Sequence, residues 1–310
     1  MKERIAQGFV HFGKDETTVP CNKTYLSDTI YQSVGSVKYK DGRAASKYLS
    51  GLMGINCFTN PKDVTFLQSL FETVGIKAGD TVLDFFSGSA SSAEAVLNIC
   101  EKLGNSVHFI MVQLPENLDE SFPKAIGSSK QVIANAIVLC DALGVPHHLS
   151  EIGKERIRRA GKKIKEENPL TTQDLDIGFR VLKLDSSNMK EVYYTSDAYT
   201  RDMFDMLADN IKEDRTPEDL LFQVMLDLGI PLSSKIEESV IAGKKVFKVE
   251  DNYLIACFDS NLTEETIKAI AQQRPYYYVM RDSSMANDSV ATNFEQIFAT
   301  YSPETDRKVL

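Results

Sequence analysis

Apolar residues recur at helical spacing at Val64, Phe66, Leu67, Leu70 and Phe71, and Asn60-Pro61 just ahead of them is a helix-opening pair. The spacing predicts a helix over Lys62–Thr73, followed by a turn at Gly75–Asp80. Thr81–Phe86 is an apolar, β-prone run of the kind that forms a buried parallel strand. A turn over Ser87–Ser92 then opens a helix that runs to about Leu103 and stops at Gly104. His108–Leu114 (HFIMVQL) is a second buried strand. Two strands bracketing a helix make a βαβ unit, and hence an α/β layer.

Further helices are predicted over Gln131–Leu143 and 151–167, and a third strand over Gly178–Leu184 (GFRVLKL). The remainder reads as a smaller α+β unit. Its helices fall at 201–213, 216–228 and 263–272, and its strands near 244–249, 253–258 and Tyr276–Met280. Asn261 is the expected N-cap of the last helix, with Glu264 completing a capping box. Residues 1–56 are turn-rich, hold one short helix near Ala44–Met53, and bury no core of their own.

Composition adds mainly exclusions. The 310 residues are 43% hydrophobic and 25% charged, with 17 glycines and 10 prolines, which is ordinary globular usage rather than a fibrous or disordered chain. That length allows roughly two domains. The best apolar run, Val132–Leu143, is broken by Asn135 and Asp141, short of the roughly 20 residues that span a bilayer. Met1–Gln7 leads into no apolar signal segment, so a soluble, cytoplasmic chain is expected. Five dispersed cysteines (21, 57, 100, 140, 257) and four histidines form neither a disulfide framework nor a metal-ligand pattern.

The net charge of −9 argues against a surface wholly devoted to nucleic acid. Residues 151–167 (EIGKERIRRAGKKIKEE) stand apart, with seven basic against four acidic side chains. Ile152, Ile157 and Ile164 make an apolar stripe there, so the segment reads first as a solvated helix lying on the core and second as a local basic surface. Glu237-Glu238 and Glu264-Glu265 read as solvated helix faces, and Tyr276–Tyr278 as core and edge packing.

The candidate chemistry lies in Asp80–Val96, DTVLDFFSGSASSAEAV. A strand ending in Asp84, a turn at Gly88 and a helix opening at Ser91-Ser92 gather backbone N–H groups and a carboxylate around one cavity, suited to a nucleoside or amino-acid-bearing ligand. A dinucleotide fits less well. Aligned on GxGxxG, the positions are Gly88, Ala90 and Ala93, and the missing second glycine is the one that admits a pyrophosphate. Gln113 ends the second strand where ribose hydroxyls would lie, and its amide can donate and accept. A plain strand-turn-helix with no ligand remains the competing reading. The P-loop-like Gly8-Phe-Val-His-Phe-Gly13-Lys14 is rejected, because Asp15 stands where a magnesium-binding hydroxyl belongs.

The stretch LDFFSGSASSAEAV, preceded by FTNPKDVTFLQSLFE and followed by FIMVQLPEN, resembles the cofactor half of a β-class amino-methyltransferase acting on DNA. More narrowly, VHFGKDETTVP, YLSDTI, DGRAASKYL, IGKERIRRAGKKIKEE, DIGFRVLKLDSSN and RDSSMANDSVATNFEQIF resemble the methylation (Mod) subunit of type III restriction-modification systems. The resemblance implies an α/β fold: a Rossmann-like S-adenosylmethionine-dependent methyltransferase sheet with a smaller α+β C-terminal unit. It implies the end of a target-recognition region over 1–57, a cofactor-binding portion over 58–186 and the C-terminal unit over 187–310.

By the same resemblance, Thr59, Asn60, Pro61 and Lys62 join Asp84, Phe85, Phe86, Gly88 and Ser89 in holding S-adenosylmethionine, with Asp84 serving its amino group or supporting the turn. Gln113, Leu114 and Pro115 would flank ribose and adenine, and Arg43, Arg156, Arg159 and Lys163 are the candidates for DNA phosphates. The implied partners are double-stranded DNA, a restriction (Res) subunit and a second Mod copy. The implied reaction methylates adenine N6 without a metal.

Two positions depart from the family pattern: Ala90 where many relatives have glycine, and Gln113 where most have an acidic residue. The larger departure is an absence. Such enzymes present the acceptor amino group to an Asp/Asn/Ser-Pro-Pro-Tyr/Phe loop, and among ten prolines here no two are adjacent. In the β-class order that loop precedes the cofactor motifs, so the chain reads as the carboxyl half of a longer methylase, with no catalytic residue of its own. The alternatives are a non-catalytic module for assembly or dimerisation and, less suited to Ala90 and Ala93, a nucleotide-dependent oxidoreductase.

Overall fold

The computed structural model describes residues 2–23, 25, 35, 37–104, 107–190 and 211–310. Most of the helix expected over 201–213, and of the segment YLSDTI, lies outside the described residues. The chain divides into two compact units, Met1–Phe179 and Arg180–Leu310.

The N-terminal unit begins with a short helix α1 (Lys2–Ala6) and a two-residue antiparallel pair, β1 (Val10–His11) and β2 (Cys21–Asn22). Helix α2 (Gly42–Met53) is capped by Asp41, whose carboxylate accepts from the Arg43 amide. Helix α3 (Val64–Thr73) starts two residues later than the pattern predicts, because Asp63 is its N-cap and takes the Phe66 N–H at 2.8 Å. Asn60-Pro61-Lys62 therefore precede the helix, and Asn60 takes a positive φ of 52°.

Strand β3 (Thr81–Asp84), helix α4 (Ser91–Leu103) and strand β4 (His108–Met111) form the expected βαβ unit, with β3 and β4 parallel in the register Thr81↔His108 to Asp84↔Met111. Both strands are expected to be buried on two faces, and here the structure differs. Val82, Phe109 and Met111 pack on the cluster of Ala93, Val96, Leu97 and Cys100, whereas Leu83 and Ile110, one residue out of phase, are 49% and 52% exposed. Among the described residues, helices cover one face of this pair only.

The third strand expected at Gly178–Leu184 is not formed. Ile177 and Phe179 pack into the same cluster, but Val181, Leu182 and Leu184 are exposed and pair with no strand among the described residues. An apolar alternation becomes a strand only where a ladder partner lies beside it, and among the described residues the parallel sheet of this unit has two strands.

Helices α5 (Leu118–Ser121), α6 (Gly127–Leu143) and α7 (Leu149–Glu167) complete the unit. Leu49 and Met53 of α2, Ala136, Leu139 and Cys140 of α6 and Ile152 of α7 share a second cluster, while Ile157 and Ile164 of α7 enter the first. Helix α7 is thus the wall between two cores rather than a solvated helix on one. At Gly161 a Cβ would lie 2.8 Å from the Ile177 Cβ, so the glycine permits that close approach.

His147, in the loop before α7, bridges α5 and α6. Its Nδ1 lies 2.9 Å from Asp119 and its Nε2 3.0 Å from Asp141. The bond to Asp119, then that to Asp141, favours the imidazolium and raises its pKa above the ordinary 6.5. Because the folded pKa is the higher one, the bridge contributes fully below about pH 6.5 and fades as pH rises through the raised value. The melting-temperature difference between the wild type and His147→Gln is expected to be largest at mildly acidic pH and to shrink through neutrality. A difference constant across that range would remove this assignment.

The C-terminal unit contains helix α8 (Pro217–Asp227), strands β5 (Ile236–Ile241), β6 (Lys244–Val249) and β7 (Leu254–Cys257), helix α9 (Glu264–Ala271), strand β8 (Tyr277–Met280), helix α10 (Asp288–Tyr301) and strand β9 (Asp306–Val309). The five strands lie side by side in chain order, antiparallel from β5 to β7 and parallel from β7 to β9. Leu220, Leu221, Val224 and Met225 of α8 cover one face through Phe247, Leu254 and Val279, and α9 with α10 cover the other through Ile255, Tyr278 and Met280. All four β7 residues are buried, which accounts for the unbroken apolar run LIAC.

Strands β5 and β9 and helix α10 are additions to the predicted elements. Glu237 and Glu238 lie on β5, opposite Lys248 and Phe247, and not on a helix. The cap of α9 is Thr263, whose hydroxyl takes the Thr266 N–H; Asn261 sits before it at a φ of 57°. No helix among the described residues is long and apolar enough to cross a membrane.

Candidate functional site

At the carboxyl end of β3 the chain turns sharply, and the turn is held from the strand side. Asp84 accepts the Phe86 N–H at 3.0 Å and the Ser92 hydroxyl at 2.6 Å, so its carboxylate ties the strand end to the first turn of α4. The Ser87 and Val112 amides extend the ladder, donating to the Val112 and Asp84 carbonyls. The Gln113 amide oxygen accepts the Gly88 N–H at 2.8 Å, and its Nε2 donates to the Leu114 carbonyl. The side chain expected near ribose hydroxyls is therefore engaged in holding the turn.

Gly88 has a φ of +50°, and Ala90 at the N-cap of α4 is left-handed with φ 58° and ψ 36°. An alanine there costs about 1–2 kcal/mol relative to its preferred region, so the departure from glycine at Ala90 leaves the turn strained. Phe85 and Phe86 stand exposed beside it, Phe86 at 90%, and Leu114 and Pro115 follow in the same exposed segment after β4.

The Thr59–Lys62 stretch reaches this turn through its neighbour Phe58. A Cβ on Gly88 would lie 3.0 Å from the Phe58 Cζ, so ring and glycine are in contact. Phe58, Thr59 and Asn60, with Ser46, Asn56, Ser128, Ser129 and Val132, line a cavity of about 300 Å³. Ser128 and Ser129 lie in the first turn of α6, whose N-cap Ile126 makes no side-chain capping bond. Pro61 is buried and Lys62 exposed. The structure thus brings Asp84, Gly88 and Gln113 into one hydrogen-bonded turn, while Thr59 and Asn60 line a cavity with Phe58, whose ring meets Gly88.

The candidate phosphate contacts fare differently. Arg43 is exposed on α2 and paired with Asp41 at 2.9 Å. Arg159 donates to Glu155 at 2.6 Å and to the Met53 carbonyl at 2.6 Å, closing the end of α2. Lys163 lies over the Tyr48 ring, 4.6 Å from its centroid, and near Glu167. Arg156 is a correction: it is 0% exposed and cannot reach a phosphate.

Instead the Arg156 Nε meets Glu94 of α4 at 2.7 Å, and its Nη1 donates to the Ser91 hydroxyl at 2.6 Å, the Ser89 hydroxyl at 2.8 Å and the Ser89 carbonyl at 3.3 Å. The Tyr48 phenol of α2 donates to the same Glu94, and burial with that carboxylate pushes its pKa up. The sequence reading missed this cluster. A signal was present, since Arg156 falls inside the stripe Ile152, Gly153, Arg156, Ile157, Ala160, Gly161, Ile164, where a solvated cation is out of place.

No family model matches the chain. Over 307 residues, 95% of this chain and 40% of the relative, it is 29% identical to the type III restriction-modification enzyme EcoP15I Mod subunit of Escherichia coli. It is 31% identical over 180 residues to the StyLTI Mod subunit of Salmonella typhimurium, covering 57% of this chain and 24% of that one. It is 29% identical over 232 residues to the EcoPI Mod subunit of Escherichia phage P1, covering 74% and 31%. The chain spans less than half the length of each of these relatives. Its sequence is related, over nearly its whole length, to the Mod subunits of type III restriction-modification enzymes.

Proposed function

We propose that the chain is the S-adenosylmethionine-binding portion of a site-specific DNA adenine-N6 methyltransferase of a type III restriction-modification system. The observation that carries this reading is the turn at the carboxyl end of β3. Its Phe86 and Gly88 N–H groups are already taken by Asp84 and Gln113, which leaves them unavailable to a diphosphate. The exposed rings of Phe85 and Phe86 and the Leu114 side chain offer apolar surface beside it. Such a site fits a nucleoside ligand without phosphates.

In this reading Asp84 and Gln113 hold the turn, and so does Ser89, which is 3% exposed, is bonded to Arg156 and is not free to contact the cofactor. Phe85, Phe86 and Gly88 contact the cofactor, Leu114 and Pro115 flank its purine, and Thr59–Lys62 close the opposite side. The cofactor supplies an electrophilic methyl group on a sulfonium. The pair β3–β4 belongs to a larger Rossmann-like parallel sheet, a reading supported by the bare face at Leu83 and Ile110. Residues 1–57 end a target-recognition region, 58–186 carry the cofactor and 187–310 form the accessory unit. With no Pro-Pro pair in the chain, the loop that orients the acceptor amino group comes from another polypeptide segment, and double-stranded DNA and a restriction subunit are engaged by the whole assembly. Arg43 remains the exposed candidate for a phosphate contact.

Calorimetry is expected to show saturable binding of S-adenosylmethionine and none of NAD. Incubation with tritiated S-adenosylmethionine and mixed duplex DNA is expected to give background incorporation, because alignment of the acceptor accounts for several kcal/mol of barrier and nothing here supplies it. Binding of NAD in place of S-adenosylmethionine would overturn the cofactor reading, and turnover by the chain alone would overturn the missing-loop reading.

The bare apolar face also favours a second reading, a module for assembly or dimerisation that binds neither ligand. A concentration-dependent mass in solution, without cofactor binding, would decide for it.

A further inference from the structure

The turn that carries Gly88, Ser89 and Ala90 is strained, exposes only Gly88 in part, and is backed by a fully buried cation. We infer that Arg156 is a positioning residue, which sets the conformation of the Gly88–Ser91 turn for its ligand; the inference rests on the cofactor reading above. The geometry is specific to a guanidinium. One edge pairs with Glu94 at 2.7 Å, and Nη1 gathers the Ser89 carbonyl, the Ser89 hydroxyl and the Ser91 hydroxyl. These acceptors flank Ala90, whose left-handed conformation an alanine disfavours, so the bonds on either side oppose its relaxation.

Stability alone does not call for this arrangement. A buried ion pair is weak evidence for stability, since apolar residues of the same volume often serve as well. Side chains of Arg156 and Glu94 are 1% and 2% exposed, and Tyr48 closes the pair from α2. What an apolar substitute lacks is the set of directed donors on the turn.

One helical turn before Arg156, Gly153 brings the α7 backbone against the same place: a Cβ there would stand 3.3 Å from the Gly88 carbonyl oxygen. The turn is thus gripped from two sides, by Asp84 and Gln113 in front and by α7 behind. The spacing of Gly153 and Arg156, three residues apart on one helix face, matches a single task.

The test compares the wild-type 310-residue chain with Arg156→Lys and with the double variant Ser89→Ala/Ser91→Ala. The lysine keeps a cation opposite Glu94 but loses the fork, and the serine variant removes two acceptors while leaving the ion pair intact. Three quantities are read: melting temperature, amide hydrogen exchange of peptides spanning the turn without ligand, and calorimetric affinity for S-adenosylmethionine. Both variants are expected to melt below wild type, to exchange faster at the turn and to bind S-adenosylmethionine about tenfold more weakly.

If Arg156→Lys fails to fold, the serine variant decides alone. Unchanged turn exchange and unchanged affinity in a folded variant would overturn the inference and make Arg156 a core filler. Failure of the wild type to bind S-adenosylmethionine would overturn the cofactor reading instead, while turn exchange in the variants would still show whether Arg156 holds the turn.

Discussion

Gly88→Val is expected to lower the affinity for S-adenosylmethionine by a hundredfold or more, to the point of abolishing a measurable isotherm. Two physical effects add. The φ of +50° at this position is open to glycine and costs a β-branched residue the left-handed penalty of about 1–2 kcal/mol. The new Cβ also lies 3.0 Å from the Phe58 Cζ, so the ring must give by a few tenths of an ångström before the γ-methyls are placed. Phe58 packs on the α2–α6 cluster and lines the cavity with Thr59 and Asn60, so its displacement disturbs both sides of the candidate site. A hundredfold change in affinity corresponds to roughly 2.8 kcal/mol, which the displaced turn and ring are together expected to supply. Gly88→Ala, with the φ penalty and one methyl, is expected to fall between. Hydrogen exchange across α4 and α7 would establish that the variants are folded, and a valine variant with the wild-type isotherm would show that the ligand does not meet this turn.

Glu94→Ala is expected to unfold the N-terminal unit selectively. The substitution leaves the Arg156 guanidinium buried without its carboxylate and strands the Tyr48 hydroxyl, and breaking a buried pair in this way costs about 3–5 kcal/mol. That approaches the whole stability of many domains, typically about 5–15 kcal/mol. The C-terminal unit has its own two core clusters on either face of β6–β8 and should keep its protection. Hydrogen exchange read by peptide therefore gives a divided result: α4 and α7 lose protection while β6, β7 and β8 retain it. Glu94→Gln, which keeps the volume and an acceptor for Tyr48, is expected to be milder. Full retention of protection in α4 by the alanine variant would mean that the buried pair is not what holds α4 to α7.

Local signals carried most of the elements. Helix α4 runs from Ser91 to Leu103 and ends at Gly104 in the left-handed conformation, as its apolar spacing and glycine stop indicate. The same holds for α6, closed by Gly144, and for the strands at 244–249 and 277–280, whose β-branched and aromatic runs are bounded by turns. The strand-turn-helix at Asp84–Ser92 was legible for the same reason: strand propensity, a glycine and a helix start all act within a few residues.

Boundaries and partners were a different matter. Helix α3 begins at Val64 because Asp63 finds the Phe66 amide, a better cap than the Asn60-Pro61 pair offered. The segment at 178–184 has the alternation of a strand and, among the described residues, no neighbour to pair with, while β9, with the polar sequence DRKV, is a strand because β8 lies beside it.

The amino-acid sequence by itself determined the α/β character of this protein, the position of its candidate turn and the absence of a Pro-Pro loop, because propensity, periodicity and composition are properties of neighbours in the chain. The tertiary structure decided which charges are surface and which are core. Arg156 and Arg159 are three residues apart in one basic run, yet the first is sealed against Glu94, 62 residues away, and the second closes the end of α2. Gln113 is likewise an ordinary strand-end residue until folding sets its amide oxygen on Gly88, 25 residues back. A hydrogen-bond partner distant in sequence leaves no periodic trace, so the roles of these side chains exist only once the helices and strands have packed.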